Sequence, residues 1–164
     1  KLRSFIHPKS TPGHLNTLLS HLNDETAGND TQIEPVLHKM AERIKKRGLV
    51  VLISDLFDDP ENIMSGLKHF RHNKQEVIVF HILDRKELDF DFNSRTKFLD
   101  METGEEITTE PWHIRSNYND LIKNLQDYYR SECRQHRIDY VCLFTDQNLD
   151  IGLTEYLNKR KKLG

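Results

Sequence analysis

Three short runs of apolar residues are the clearest pattern in the chain. They cover 49–54 (LVVLIS), 76–83 (EVIVFHIL) and 138–145 (IDYVCLFT). They contain many β-branched residues and show little alternation of apolar and polar positions, which is typical of strands buried on both faces of a sheet. We therefore predict three parallel strands in one sheet, with helices packed on both of its faces.

Helical periodicity fills the segments around these runs. The clearest case is 33–47, where apolar residues recur at intervals of three and four and three basic residues fill the last turn. Gly48 follows as a predicted C-cap. Asp59 before Pro60 predicts the N-cap and first residue of a helix that runs to about 72. Further helices are predicted at 14–22, 117–136 and 149–161.

The segment 89–109 departs from this alternation. Thr103 and Gly104 lie between two short extended stretches, which is the signal of a β-hairpin. Residues 2–6 predict one more short strand. The order of elements indicates a three-layer, doubly wound, mostly parallel α/β sheet, in one domain spanning 1–164.

Charge and composition argue against several classes of function. The 24 basic and 26 acidic residues are closely mixed and give a net charge of −2, so no field of one sign favours nucleic acid or a membrane surface. No stretch approaches the roughly 20 apolar residues of a membrane span. The two cysteines do not establish a disulfide framework, and we expect a reducing, cytoplasmic setting.

An aspartate stands after each of the three apolar runs. These residues are Asp55, Asp84 and Asp146. Because ligands of open parallel sheets bind outside the carboxyl ends of the strands, the three aspartates are expected along one edge of the sheet. The alternative is purely structural, since an aspartate in that position often caps the next helix.

Asp55, Asp58 and Asp59 crowd one short loop. Carboxylate oxygens suit Mg²⁺ or Ca²⁺, although the spacing matches no helix-loop-helix calcium site. A metal-dependent phosphoryl-transfer enzyme or a phospho-receiver centred on Asp55 is therefore one hypothesis. Its weakness is that the chain lacks a P-loop and the acidic pair that a receiver needs.

The nine histidines raise the question of a transition-metal site. His69 and His72 share a helix face, as do His14 and His21, but no further histidine or cysteine lies near either pair in sequence. Zinc sites need three or four convergent ligands, so solvated surface histidines are the better interpretation. His81 lies within an apolar run, and we expect it to be hydrogen-bonded in the core.

Five segments together resemble a known family. In chain order they are GLVVLISDLFDD, EVIVFHILDRKELDF, FLDMETGEE, IRSNY and YVCLFTDQNLDIGLTEYLNKR. This set resembles the bacterial domain-of-unknown-function fifty-eight family, whose members carry a von Willebrand factor A-like domain, and the resemblance covers about 1–160. It implies a doubly wound α/β fold, a possible metal-ion-dependent adhesion site, and an association with MoxR-class AAA+ ATPases without catalytic activity.

The resemblance also implies which residues remain of such a metal site. Asp55 matches the aspartate of its third loop, and Thr11 or the adjacent Ser10 could match the threonine of its second loop. The Asp-x-Ser-x-Ser motif of the first loop is absent, so no cofactor is expected in this chain, with Mg²⁺ possible in a longer form. A scaffold with a decayed metal site is a further alternative.

The same register places the first strand, first helix and second strand of the domain before Lys1. The strand at 49–54 would then lack its central neighbour, and a homodimer through that sheet edge is one way to cover it. The leading hypothesis is a non-catalytic protein-interaction module. Its partner-binding loops would carry Asp58, Asp59, Asp84 and Asp146.

Overall fold

Five helices and five strands make up the described part of the chain. The computed structural model describes residues 5–7, 9–24, 33–85, 96–99, 106–109 and 111–161. The elements are α1 (His14–Asp24), α2 (Ile33–Arg43), β1 (Leu49–Ser54), α3 (Pro60–His72), β2 (Glu76–Leu83), β3 (Thr96–Leu99), β4 (Glu106–Thr109), α4 (Pro111–Gln135), β5 (Asp139–Phe144) and α5 (Leu149–Lys161).

The three apolar runs form one parallel sheet, as predicted. Its strand order is β1-β2-β5, so β2 is central. Strand β1 pairs with β2 from Leu49 opposite Glu76 to Ser54 opposite His81, and β5 pairs with β2 in the same direction. All three strands therefore end at one edge of the sheet, which we call the carboxyl edge.

Helices cover both faces of this sheet, which confirms a layered α/β domain. The larger core lies between one face and α2, α3 and α4, and it includes Val77 and Val79 of β2. The smaller core lies on the other face, where Phe80 and Leu143 pack with Tyr156 of α5. Alternate residues of β2 enter opposite cores, which explains why both sets of alternating positions are mostly apolar.

Helix α2 ends four residues earlier than its periodicity predicts. Gln75, which is 1% exposed, explains the early end. Its amide Nε2 donates to the carbonyls of Ile44 and Lys46, and its Oε1 accepts the N–H of Gly48. The segment that follows the helix is thus held by a side chain from the turn between α3 and β2, and the prediction of Gly48 as the C-cap is wrong.

The predicted hairpin is present as a separate two-stranded antiparallel sheet. Thr96 pairs with Thr109 and Leu99 with Glu106. Its turn at Thr103 and Gly104, and the first part of the predicted 89–109 excursion, lie outside the described residues. Most of the strand predicted at 2–6 also lies outside them, and Phe5 and Ile6 are described without strand structure. Helix α4 begins at Pro111, six residues before the predicted start.

Helices α2 and α3 approach closely at Gly66. A Cβ atom placed on Gly66 would lie 2.6 Å from Cβ of Leu37 and 2.9 Å from its Cδ1. Real Cβ atoms do not come so close, so the Leu37 side chain packs directly on the α3 backbone because residue 66 has no side chain.

We predict that Gly66→Ala destabilises the protein although alanine is the better helix former. Overpacking costs about 1–3 kcal/mol, whereas the gain in helix propensity is at most about 1 kcal/mol. Urea unfolding followed by circular dichroism measures the difference. Ser65→Ala, one position earlier on an exposed face, is the control and should change stability little. A Gly66→Ala protein more stable than the wild type would contradict the close approach.

Candidate functional site at the carboxyl edge

The parallel strand order places Asp55, Asp84 and Asp146 along the carboxyl edge. Each follows the last residues of its strand, β1, β2 or β5. The loop after β1 adds Asp58 and Asp59, so five carboxylates lie along this edge. The guanidinium of Arg85 pairs with one of them, at 2.7 Å from Asp146. The edge is acidic, and a basic surface would complement it.

The Asp55 carboxylate stabilises the turn that follows β1. Its Oδ1 accepts the N–H of Phe57 at 3.3 Å and faces the hydroxyl of Ser54 at 3.4 Å. The Ser54 hydroxyl in turn accepts the N–H of Leu56 at 3.1 Å. Leu56 has a φ of 58°, in the left-handed region that a branched residue adopts at a cost.

The surrounding core compensates for this backbone conformation. The Leu56 side chain is fully buried, and its carbonyl lies 3.5 Å from the Tyr129 hydroxyl of α4. The turn is therefore fixed from below by α4, while Asp55 and Phe57 are left exposed at its surface.

Asp58 and Asp59 hold the N-termini of two helices. Asp59 is the N-cap of α3, as predicted, and its Oδ1 accepts the N–H groups of Glu61 and Asn62. Asp58 reaches across to α2, where its Oδ2 accepts the N–H of Ile33 at 2.9 Å. Such bonds stabilise carboxylates at the positive ends of helix dipoles. These two residues therefore have a structural role at this edge.

The ends of β2 and β5 are tied together by side chains. Asp84 accepts a hydrogen bond from the Thr145 hydroxyl at 2.9 Å. Arg85 bonds Asp146 and also lies over the Phe144 ring, 4.8 Å from its centre. The loops after β2 and β5 are thus cross-linked to each other.

The described surroundings of Thr11 do not include Asp55. Thr11 lines a groove with Phe5, and the Phe5 ring lies 5.2 Å from the Arg43 guanidinium, at the C-terminal end of α2. Asp55 belongs to the loop whose Asp58 accepts the N–H of Ile33, at the N-terminal end of that helix. Eleven helical residues, about 15 Å, separate the two ends.

The residues present do not fit a Mg²⁺ site of the adhesion type. Mg²⁺ demands near-octahedral oxygen coordination, and Asp55 is the one residue of the expected set at this edge. Within the described ranges, no group of three or more His, Cys, Asp or Glu side chains is arranged to hold a metal ion.

His81 lies beneath the carboxyl edge, inside the sheet. It is fully buried, its Nδ1 lies 2.7 Å from the Tyr140 hydroxyl, and its ring meets Tyr129 edge to face. No described residue completes a hydrogen bond with its Nε2. Burial lowers the pKa of the His81 imidazole, and the backbone and charge of Asp55 oppose that shift. The expectation of a hydrogen-bonded core histidine is confirmed for Nδ1.

We predict that this histidine makes stability fall below about pH 6.5. Because the pKa of His81 is lower in the folded protein than in the unfolded chain, the unfolded chain binds the proton more readily. The stability that neutral His81 contributes is therefore fully present above the unfolded-state pKa. As the pH falls from there toward the folded-state pKa, the free energy of unfolding decreases by up to about 1.4 kcal/mol for each pH unit. Urea unfolding at about pH 7.5, 6.5 and 5.5 measures this slope.

The control for this prediction is His81→Gln, which keeps a polar group beside Tyr140 and cannot titrate. It should flatten the dependence on pH between about 6.5 and 5.5. Equal slopes for the wild type and the variant would show that other groups cause the effect. The hydrogen bond from Lys68 is the main cause of the lowered pKa of Glu132. The stability that ionised Glu132 contributes is lost only below about pH 4.5, so it does not affect the comparison between pH 6.5 and 5.5.

One face of β1 is exposed although the strand is apolar. Leu49, Val51 and Ile53 are 49%, 45% and 68% exposed, and Phe57 just beyond them is 52% exposed. Val50 and Leu52 point the other way and pack against the larger core. Because nearly every position of this strand is apolar, its sequence does not show which face is covered and which is exposed. We call Leu49, Val51, Ile53 and Phe57 the β1 face.

Comparison with known proteins gives one match. The model of the family described as "Protein of unknown function DUF58" matches residues 1–127, more than half of the chain. The chain belongs to the DUF58 family. No curated protein and no solved structure matches it. The resemblance inferred from the five sequence segments is therefore confirmed at the level of the family.

The described helices of this DUF58 chain include none with the length and apolar character needed to cross a membrane. Neither cysteine takes part in a disulfide, and burial raises the pKa of the Cys133 thiol to about 12. A thiol with so high a pKa is a poor nucleophile, which agrees with its interpretation as a small core residue.

Proposed function

We propose that this DUF58 chain is a non-catalytic protein-interaction module that binds its partner through the β1 face and the carboxyl edge. The exposed face of β1 is the observation that carries the proposal. Three apolar side chains of one strand are 45% to 68% exposed, next to strand β2, whose apolar residues are buried or half-buried. Contiguous exposed apolar surface of this kind marks interaction sites.

The hydrogen bonding of β1 supports the same surface. In the described part of the chain β1 pairs on one side only, with β2, so a row of backbone groups on its other side is available. Strand β5 is the opposite edge of the sheet, but its residues are mostly half-buried or buried. A partner strand added to β1 would satisfy its backbone groups and cover the β1 face at the same time.

The carboxyl edge supplies a second, electrostatic component. Asp55, Asp58 and Asp59 border the end of the β1 face, Asp84 and Asp146 continue the same edge after β2 and β5, and together they complement a basic partner surface. The partner suggested by the family resemblance is a MoxR-class AAA+ ATPase. We also propose that the domain is von Willebrand factor A-like, and its parallel sheet with helices on both faces is consistent with that.

The test is a binding measurement between this chain and a MoxR-class ATPase from the same genome, by biolayer interferometry. We expect Val51→Lys to weaken binding at least tenfold, since it places a charge in an apolar contact. Leu121→Lys is the matched control, because Leu121 is 66% exposed on α4, which packs on the opposite face of the sheet from the β1 face. Equal loss in both variants, or none in either, would contradict the assigned surface.

Charge and metal dependence are separate arms of the same measurement. Asp146→Asn should lower the association rate and reduce its dependence on salt, as removal of a peripheral charge does. Binding by this chain should be the same in EDTA and in Mg²⁺, because the described residues do not form an adhesion-type site. Strict dependence on Mg²⁺ would show that a metal site forms in the complex.

A further inference from the structure

A pair of histidines joins α2 to α3, on a surface that the proposed function does not use. Nδ1 of His38 lies 3.0 Å from Nδ1 of His69, with the ring planes at 44°. In such a contact one Nδ1 carries a hydrogen and the other accepts it through its lone pair. The two residues are 31 positions apart, so the tertiary fold alone creates the pair.

The helix packing around the pair is rigid. Leu37, next to His38, is in close contact with Gly66, one helical turn before His69. On the other side of the pair, the Asn73 amide donates to the Ala41 carbonyl at 3.0 Å. The distance between the two imidazoles is therefore set by backbone packing, which is the preorganisation that a ligand site needs.

The remaining nitrogen of His38 faces oxygen atoms. Its Nε2 lies 3.4 Å from the Ser65 hydroxyl and 3.8 Å from Oε1 of Glu34, one turn earlier on α2. Those neighbours favour the tautomer with hydrogen on Nε2 and a free lone pair on Nδ1. Histidines that bind metal ions have this environment, in which the other ring N–H points to a carboxylate or another oxygen.

We propose that His38 and His69 bind one imidazole-preferring transition-metal ion, of the class of Zn²⁺, Ni²⁺ and Cu²⁺, through their Nδ1 atoms. Two nitrogens at about 2.0–2.1 Å from one ion are about 2.9 Å apart at a right angle and about 3.4 Å apart in a tetrahedron. The observed 3.0 Å falls within that interval. Rotation of the rings about χ2, with the His69 hydrogen moving to Nε2, turns both lone pairs to the ion.

The site has two protein ligands, fewer than the three or four of structural and catalytic zinc sites, and water completes the coordination. A site with two protein ligands is therefore a weak one. A bound ion would clamp α2 to α3 and so stabilise the contact between the α2 N-terminus and Asp58. The proposal is independent of the proposed function, because neither the β1 face nor the carboxyl edge contributes a ligand.

Isothermal titration calorimetry of the untagged full chain with Zn²⁺ and with Cu²⁺, near neutral pH, tests the site. We expect one ion per chain with a dissociation constant on the order of 100 μM or tighter, and tighter for Cu²⁺. His38→Gln and His69→Gln should each weaken binding at least tenfold. Glu34→Gln should weaken it by up to about tenfold, since removal of outer partners of a ligand has effects of that size or larger.

His72→Gln is the matched control, because His72 is exposed on α3, three residues after His69. It should bind as the wild type does. If a variant fails to fold, NMR of the wild-type imidazoles gives the answer, since Zn²⁺ should shift the His38 and His69 ring nitrogens and leave His72 unchanged. No binding at about 1 mM ion, or equal binding by the wild type and both ligand variants, would overturn the proposal.

Discussion

Replacing Tyr129 by alanine is expected to lower the free energy of unfolding by about 3–5 kcal/mol, the range for large aromatic side chains removed from a core. Tyr129 is fully buried and contacts the rings of Tyr128, His81 and Tyr140. It also lies under the turn at Leu56, so its loss should loosen the carboxyl edge. Urea unfolding measures the first effect, and amide hydrogen exchange at residues 55–58 measures the second.

Tyr129→Phe separates the packing of this ring from its hydroxyl. The hydroxyl is 3.5 Å from the Leu56 carbonyl, which is a long hydrogen bond. We expect this variant to cost about 1 kcal/mol or less, with most of the exchange protection at 55–58 retained. A cost as large as that of Tyr129→Ala would show that the hydroxyl, and not the ring, fixes the turn.

Self-association through the β1 edge is the second large effect that we expect. Two copies can pair their β1 strands antiparallel about a two-fold axis, which satisfies the backbone groups of both edges and covers Val51 and Ile53. We expect concentration-dependent dimers in light scattering. Ile53→Lys should weaken dimerisation at least tenfold, because it places two like charges near the axis.

Leu121→Lys is again the control and should leave dimerisation unchanged. A β1 partner and a second copy would compete for the same edge, so the ATPase should dissociate the dimer. A monomer at all concentrations, in a crystal structure where β1 has strands on both sides, would contradict an available β1 edge and the proposed interaction surface with it.

The sequence by itself determined the strands and most of the helices. The runs at 49–54 and 76–83 are rich in apolar and β-branched residues at consecutive positions, a pattern that favours strands of a parallel sheet, although one face of β1 is exposed. Asp59 and Pro60 fixed the start of α3 because an N-cap bonds to N–H groups two and three residues away. These features are local, so neighbouring residues are sufficient to specify them.

Only the tertiary structure decided where α2 ends and which site residues meet. Gln75 holds the segment after α2 from about 30 positions away, and no pattern within α2 contains that information. Thr11 and Asp55 were paired on sequence resemblance, but they lie toward opposite ends of α2. His69 was considered on the sequence only with His72 on the same helix face, whereas the packing of α2 on α3 at Leu37 and Gly66 places it beside His38.

The exposed β1 face is the clearest example of what the sequence specifies and what the tertiary structure adds. The sequence specified that Leu49 to Ser54 is an apolar strand, because β-branched residues in succession favour the extended backbone. Whether both of its faces are covered depends on how far α5 extends across the sheet, and α5 packs on β2 and β5. Coverage is a property of the packed layers and not of the strand. The family register predicted an unpaired edge at 49–54, and the structure added that one face of this strand is exposed as well.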